Sequence, residues 1–183
     1  MLGGELMNIE LKEKLEKFYD EQVWPHITLG EFIEDCAKKY GDKIALVDGD
    51  VELSYQELNR KACHYANGLL KSGFKKGDRI VLQLPNCHEF VIILFAMFKI
   101  GLIPVLSLPA HRKNEIKGIL EKSGAKAYIA KDKYLGFSYV DMIREVREEL
   151  NIDFEVYILG DSQGYKNFYK LNDKDYLSQY IEV

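Results

Sequence analysis

The spacing of hydrophobic positions along the chain predicts helices that alternate with strands. Near the start, the segment Ile9 to Tyr19 has the pattern of a short amphipathic helix. Thr28, followed three residues later by Glu31, is a capping box that predicts the start of a second helix, and Gly41 predicts its end. Between these signals, apolar residues recur at helical spacing and form a stripe at Leu29, Phe32, Ile33, Cys36, Ala37 and Tyr40.

A β-hairpin and another helix are predicted next. The runs Lys43 to Val47 and Val51 to Leu53 flank an Asp-Gly-Asp turn, which is typical of two antiparallel strands. Ser54 and Glu57 form a second capping box, so a helix is expected over residues 55–72. Its inward face is predicted to carry Leu58, Ala62, Tyr65, Ala66 and Leu69.

The stretch Phe90 to Ala110 carries a single charge and raises the question of a membrane span. A span needs about 20 apolar residues in one unbroken helix, and Gly101 and Pro104 interrupt this stretch. A helix with Asn86 as its N-cap, followed by an apolar strand from Pro104 to Leu108, fits better. We therefore expect a buried helix and strand at the centre of a core, and no membrane partner.

The remaining elements complete an alternating pattern. Strands are predicted at 79–84, 125–130 and 154–159, and helices at 114–122 and 139–150, the last with Val140, Ile143, Val146 and Leu150 inward. Strands that alternate with such helices favour an α/β fold, with a mostly parallel sheet and helices on both faces. Beyond Gly160 the pattern weakens into a tail rich in tyrosine and charge, where Asp173 to Ile181 suggests one more helix.

Composition and charge narrow the classes of function. The chain has 183 residues, of which 47% are hydrophobic, so it is long enough to bury a core as one domain. Its net charge of −4 gives no electrostatic support for nucleic acid as a partner. Three cysteines, Cys36, Cys63 and Cys87, share no CxxC spacing, which favours a reducing cytoplasm, and the charged N-terminus shows no secretory signal.

Familiar catalytic and metal-binding patterns are not found in the sequence. The motifs GxxxxGK[ST], GxGxxG, GxSxG and HExxH do not occur. The pairs Cys63-His64 and Cys87-His88 together would offer two sulfurs and two imidazoles to a metal. Neighbours on a helix point about 100° apart, however, so one pair rarely offers both ligands to one ion. We predict no metal site.

His111 and Arg112 are the candidate substrate-binding residues. They follow a predicted strand end and precede a predicted helix, the place where open α/β sheets bind ligands. The alternative is structural: Arg112 would pair with a carboxylate such as Glu115, and His111 would cap the helix. The residues alone favour this structural alternative.

Several segments resemble the N-terminal part of adenylate-forming enzymes. They are TLGEFIEDCAKKYGDKIALVDGDVELSYQEL, GDRIVLQLPNCHEFVIILFAMFKIGLIPVLSLPAHRKNEI and AKAYIAKDKYLGFSY, and the likeness runs from about Tyr19 to Gly160. LPAHRKNEI and KYLGFSY resemble the aryl-acid branch, the 2,3-dihydroxybenzoate-AMP ligases that start siderophore biosynthesis. LSYQEL and GDRIVLQLPN are shared with the wider superfamily, including acyl-CoA synthetases.

The resemblance implies a two-step reaction. A carboxylate attacks the α-phosphate of ATP to give an acyl adenylate and pyrophosphate, and the acyl group then passes to the thiol of a carrier protein or of CoA. ATP and magnesium are expected for the full-length parent, but no cofactor for this chain. The family's Ser/Thr/Gly-rich phosphate loop, acid pocket and C-terminal catalytic lysine have no match here, so no catalytic residue is assigned. His111 and Arg112 match a motif near the family's central crevice.

We therefore expect an N-terminal fragment of an aryl-acid adenylating ligase, inactive alone and cytoplasmic. Its parts would be an N-terminal extension at 1–20, an α/β core at 21–160, and a tail at 161–183 that leads to the phosphate loop. The remainder of the ligase is the expected partner, and self-association is expected where its surface is missing. The alternatives are a stand-alone α/β binding or interaction module and a fragment of an acyl-CoA synthetase.

Overall fold

A computed structural model describes residues 11–14, 16–17 and 26–174 of the chain. Residues 11–14 and 16–17 are helical, in agreement with the first predicted helix, whose other residues lie outside the described part. The later helices are α1 (Leu29–Tyr40), α2 (Tyr55–Lys71), α3 (His88–Lys99), α4 (Lys113–Ser123) and α5 (Tyr139–Glu149). The strands are β1 (Ile44–Asp48), β2 (Val51–Ser54), β3 (Arg79–Gln83), β4 (Ile103–Leu106), β5 (Ala127–Lys131), β6 (Lys133–Tyr134), β7 (Phe137–Ser138), β8 (Glu155–Leu159) and β9 (Lys166–Asn167).

Five of these strands form one sheet in the order β4-β3-β5-β8-β9. Every neighbouring pair in it runs parallel. Helices α3, α4 and α5 lie within the connections from β3 to β8, as parallel pairing requires. The predicted α/β class is therefore confirmed.

The two faces of the sheet bury separate hydrophobic clusters, because side chains alternate along each strand. Ile80 and Leu82 lie in one cluster, which includes buried residues of α2 and α3. Val81 and Tyr128 lie in the other, with residues of α4 and α5. The predicted inward faces are confirmed, since Leu58, Ala62, Tyr65, Ala66, Leu69, Val140, Ile143, Val146 and Leu150 are all buried. Helices thus cover both faces.

The local signals at helix starts and at the hairpin are confirmed. The Thr28 hydroxyl accepts the Glu31 N–H, and the Glu31 carboxylate accepts the Thr28 N–H, at 3.1 and 2.6 Å. Ser54 and Glu57 make the same reciprocal pair at 3.2 and 3.0 Å. Strands β1 and β2 pair antiparallel around the predicted turn. These features depend on neighbours in sequence, and their prediction succeeded.

Helix α1 buries a narrower face than its apolar stripe predicts. Ile33 is buried, but Leu29 and Phe32 remain 53% and 47% exposed. The helix approaches α3 through Gly30, where an added Cβ would lie 2.9 Å from the Lys99 Cα. Close backbone packing at Gly30 leaves the adjacent large side chains outside the contact.

The stretch Phe90 to Ala110 forms the predicted helix and strand, but two details of the prediction are wrong. The N-cap of α3 is Cys87 rather than Asn86, and its side chain makes no capping hydrogen bond. The carboxylate of Asp48, the last residue of β1, instead accepts the His88 N–H at 2.9 Å. The strand is also not central. No helix within the described ranges is long and apolar enough to cross a membrane.

Among the described strands, β4 lies at the edge of the sheet and has a neighbour only on its β3 side. Ile103 and Leu106 are consequently 46% and 57% exposed, although the sequence predicted a buried strand. The N–H groups of Ile103 and Ser107 bond to carbonyls on the β3 side. Pro104, which has no N–H, therefore occupies a position that faces away from β3, where the missing donor costs no ladder bond.

Residues beyond Gly160 add to the core. Strand β9 extends the sheet, and a 3₁₀ turn at Phe168–Leu171 follows it. Phe168 is fully buried, and its ring lies 4.9 Å from that of Tyr65 on α2. The turn packs so closely on α2 that a Cβ at Gly68 would lie 1.9 Å from the Leu171 carbonyl oxygen. Of the suggested helix Asp173 to Ile181, only residues 173–174 are described, and they are not helical.

Candidate functional site

The carboxyl ends of β3, β4 and β5 meet at one edge of the sheet. Strand β4 pairs with one side of β3, and β5 pairs with the other side. The carboxyl end of β3 is therefore a topological switch point of the sheet. Ligands bind at such points because the two flanking loops diverge and leave a crevice. The loop of residues 107–112, which includes His111 and Arg112, follows β4 at this end of the sheet. That these two residues contact a ligand stays a prediction.

The imidazole of His111 is held by one of its two nitrogens. Its Nδ1 lies 2.9 Å from the Ser107 hydroxyl oxygen, and the Ser107 residue is buried. The backbone N–H of His111 also donates to the Leu108 carbonyl at 3.0 Å. Because Nδ1 is engaged within the loop, Nε2 is the ring nitrogen that can meet a ligand.

The guanidinium of Arg112 bonds to the loop itself. Its Nη1 donates to the carbonyl oxygens of Pro109 and His111 at 2.8 and 3.0 Å. Its central carbon lies 4.0 Å from the centre of the Phe137 ring, a cation–π distance. The structural alternative placed this side chain in an ion pair with Glu115. Glu115 instead contacts the backbone of Arg112. The Glu115 carboxylate accepts the Arg112 N–H at 3.0 Å, which lowers the pKa of Glu115.

Gln83, at the end of β3, is a residue of this site that the sequence analysis did not select. Its side-chain nitrogen donates to the carbonyl oxygens of Leu108 and His111, both at 2.9 Å. Its side-chain oxygen accepts the Tyr128 hydroxyl at 2.5 Å. A polar residue in the otherwise apolar run Ile80 to Leu84 was the available signal.

Polar side chains from separate elements also meet at the start of α3. The Asp48 carboxylate lies 2.8 Å from His88 Nδ1, and His88 Nε2 lies 3.3 Å from the Glu89 carboxylate. The Tyr169 hydroxyl donates to Glu89 at 3.0 Å. Hydrogen bonds from His88 lower the pKa of Asp48. This Asp48–His88–Glu89 cluster joins the hairpin, α3 and the 3₁₀ turn.

The cluster resembles a metal-binding group in composition but not in arrangement. Ligand-type atoms of Asp48, His88 and Glu89 lie within 4.8 Å of one another. The imidazole, however, stands between the carboxylates, and its two nitrogens point in different directions. An ion bound at one ring nitrogen would therefore lie away from the carboxylate at the other. The arrangement suits an imidazole that bridges two carboxylates. Within the described part of the chain, Cys63-His64 and Cys87-His88 do not assemble into such a group.

The sequence matches the family of AMP-binding enzymes over residues 33–175. It is 38% identical over 153 residues to 2,3-dihydroxybenzoate-AMP ligase of Bacillus subtilis, covering 84% of this chain and 28% of that protein. It is 32% identical over 159 residues to medium-chain fatty-acid–CoA ligase of Escherichia coli, covering 81% of this chain and 28% of that protein. The chain thus spans little more than a quarter of these relatives.

The fold is similar to part of a longer protein of known structure. The apo structure of MbtA from Mycobacterium smegmatis superposes with a TM-score of 0.83 at 28% sequence identity. The match covers 94% of this chain and 32% of that one. Nearly every residue here therefore has a structural counterpart in one portion of a longer protein.

Proposed function

The chain belongs to the AMP-binding, adenylate-forming enzyme family, and on that premise we propose that it is the N-terminal part of an ATP-dependent ligase for aryl acids. The observation that carries the proposal is the 38% identity to 2,3-dihydroxybenzoate-AMP ligase over 84% of the chain. Siderophore biosynthesis is the corresponding proposed process. ATP as co-substrate and three cysteines without a disulfide favour the cytoplasm.

In the proposed reaction, a carboxylate oxygen of the acid forms a bond to the α-phosphorus of ATP. The bond from that phosphorus to the bridging oxygen breaks, and pyrophosphate leaves with the electron pair. The acyl adenylate then transfers its acyl group to a thiol of a carrier protein or of CoA, releasing AMP.

The Asp48–His88–Glu89 cluster does not fit a resident magnesium ion. Mg²⁺ prefers an octahedral set of oxygen ligands at about 2.0–2.1 Å. In this cluster, the imidazole of His88 lies between the carboxylates of Asp48 and Glu89. No step of the proposed reaction depends on a metal held by these residues.

His111 and Arg112 are the residues that we propose to contact substrate. Both lie at the carboxyl edge of the sheet, and His111 Nε2 is the imidazole nitrogen that Ser107 leaves for a ligand. The Arg112 side chain is exposed and stacked on Phe137, which holds a positive charge at the crevice. An anionic ligand, such as a carboxylate or a phosphate group, is the chemistry that a guanidinium and an imidazole N–H recognise.

A fatty acid is the alternative substrate. The similarity to medium-chain fatty-acid–CoA ligase spans 159 residues, so the scaffold does not discriminate between the two acids. The proposal therefore depends on a direct comparison of acids.

The substrate class is tested with the complete polypeptide encoded by the gene. Salicylate, 2,3-dihydroxybenzoate, octanoate and dodecanoate are supplied one at a time with ATP, and exchange of labelled pyrophosphate into ATP is measured. We expect exchange with the hydroxylated benzoates and little with the fatty acids. Exchange with the fatty acids alone would replace the aryl-acid proposal by the alternative. We expect the 183-residue chain to give no exchange with any of them.

A further inference from the structure

The side chain of Gln83 is buried where the chain connects the sheet to the candidate ligand loop. It is only 1% exposed, although glutamine is a residue type that is mostly found at the surface. Burial of an amide is costly unless its donors and acceptor are paired. Here both donors and the acceptor have partners, two of them in the loop. The amide is therefore a fully paired contact between β3, β5 and the loop.

We propose that Gln83 is the positioning residue of the loop Leu108 to Arg112. It fixes the loop at both ends, because one side-chain nitrogen donates to the Leu108 carbonyl and to the His111 carbonyl at the same distance, 2.9 Å. It acts through His111 and Arg112 and does not itself contact the ligand. The identity of the ligand that binds at this loop rests on the proposed function.

The loop needs this anchor because it leaves an edge strand. Within the part of the chain that the structure describes, β4 pairs only with β3, and no strand on its other side restrains the segment that follows. Gln83 is the last residue of β3. Its side chain adds hydrogen bonds to the loop after β4, beyond the point where the backbone pairing of β3 and β4 ends. Tyr139 adds a separate tie, with its hydroxyl donating to the Pro109 carbonyl at 2.8 Å.

The two loop carbonyls decide which way the amide faces. Carbonyl oxygens only accept, so a reversed amide would place its oxygen against the Leu108 and His111 oxygens, which is repulsive. The Tyr128 hydroxyl, buried on β5, then donates to the Gln83 side-chain oxygen. Burial raises the pKa of Tyr128 well above its ordinary value, so the hydroxyl keeps its proton and remains a donor. The Gln83 acceptor is thus paired while its donors face the loop.

The His111 carbonyl links this anchor to the proposed ligand contacts. It accepts from Gln83 at 2.9 Å and from Arg112 Nη1 at 3.0 Å, so one oxygen fixes the backbone of one candidate residue and the side chain of the other. Loss of the Gln83 donors would release that oxygen. A misplacement of about 1 Å is enough to lower a catalysed rate on the order of 100-fold.

Gln83→Met and Gln83→Leu are the test variants. Methionine keeps the length of the side chain and leucine suits its burial, and neither offers a donor to the loop. Val146→Ala is the control for general loss of stability, because Val146 is buried on α5 about two turns from Tyr139. Nitrogen-15 NMR of the 183-residue chain reports the loop, through the backbone amides of 107–112 and the imidazole of His111.

We expect Gln83→Met to shift these loop signals and to speed amide exchange at His111, with Val146→Ala leaving both unchanged. In the complete polypeptide encoded by the gene, we expect kcat/KM for 2,3-dihydroxybenzoate-dependent pyrophosphate exchange to fall on the order of 100-fold in Gln83→Met. Val146→Ala should lower the melting temperature without that loss. Gln83→Leu should behave like Gln83→Met and provides the test if the latter does not fold.

Unchanged loop signals in the Gln83 variants would overturn the positioning role. Shifted signals with unchanged kcat/KM would equally overturn it, because the loop would then lie away from the ligand. An inactive wild-type polypeptide would instead refute the proposed function, and the NMR arm would still decide whether Gln83 holds the loop.

Discussion

The carboxylate of Asp48 accepts two hydrogen bonds from His88, one from the backbone N–H at 2.9 Å and one from the imidazole Nδ1 at 2.8 Å. Asp48 is in the hairpin, and His88 is the first residue of α3. The hairpin therefore caps a helix that its own N-cap residue, Cys87, leaves without a side-chain acceptor. Negative charge at a helix N-terminus is also favourable to the helix dipole.

This contact predicts a pH dependence of stability. The hydrogen bonds from His88 hold the pKa of Asp48 below its ordinary value of 3.8. The group thus stabilises the fold above that value, and the contribution is lost as pH falls through the lowered pKa. We expect Asp48→Asn to lower the melting temperature at pH 6 and to converge with the wild type near pH 2. Melting curves measured from pH 2 to 7 check this. Asp50→Asn, in the same hairpin, is the control and should melt like the wild type at every pH.

The buried ammonium of Lys99 predicts an asymmetry between two substitutions. Lys99 is 2% exposed, and its Nζ lies 2.6 Å from Glu34, whose side chain is 22% exposed. Removing the carboxylate by Glu34→Ala leaves a buried charge without a partner, so we expect a loss of about 3–5 kcal/mol in the free energy of unfolding. Lys99→Met leaves a carboxylate that water can reach and should cost less.

Urea unfolding of both variants measures this asymmetry. The exposed pair Lys38 and Asp35, whose side chains are 75% and 59% exposed, is the control, and Lys38→Met should change stability by less than about 1 kcal/mol. An equal or larger loss in Lys99→Met than in Glu34→Ala would contradict the account of the buried pair.

Two helical glycines make a matched pair for testing the close contact of α2 with the 3₁₀ turn. At Gly68, an added Cβ would lie 1.9 Å from the Leu171 carbonyl oxygen, whereas at Gly118 it would have no atom within 4 Å. Alanine is favoured over glycine in a helix by about 1 kcal/mol. We expect Gly118→Ala to raise the free energy of unfolding by up to that amount, and Gly68→Ala to lower it. If both substitutions stabilise the protein, the turn does not pack on α2 as described.

The open edge of the sheet predicts self-association of the 183-residue chain. Ile103 and Leu106 on β4 and Leu108 just after it are 46%, 57% and 63% exposed. Exposed apolar edge strands favour pairing with another chain, and a lysine on the edge opposes it. We expect sedimentation velocity to show concentration-dependent association that Leu106→Lys reduces. Leu135→Lys places the same charge at a site that is 87% exposed, at the tip of the β6–β7 hairpin, and should leave association unchanged.

The parts of the fold that depend on short-range sequence were predictable. The capping boxes at Thr28 and Ser54 involve residues three apart, and the inward face of α2 follows from helical spacing. The position of β4 was not predictable in this way, because its apolar residues suit a central strand as well as an edge strand. Only the order of strands in the sheet decides between them.

The candidate site shows the same division. His111 and Arg112 were found because loops after parallel strands meet at one edge, a rule that needs no partner residue. The contacts of Gln83 with the loop join residues 25 and 28 positions apart, and the contact of Asp48 with His88 spans 40. Such pairs carry no spacing signal in a single sequence, so the contacts of Gln83 and the helix cap emerged only from the structure.

Direct detection of the reaction products tests the central claim, that this chain is part of an adenylate-forming ligase for aryl acids. The complete polypeptide encoded by the gene is incubated with 2,3-dihydroxybenzoate and ATP, and the products are identified by mass spectrometry. We predict 2,3-dihydroxybenzoyl adenylate and pyrophosphate, formed only when the acid is present. Formation of ADP and phosphate, or of AMP at the same rate without the acid, would contradict the account.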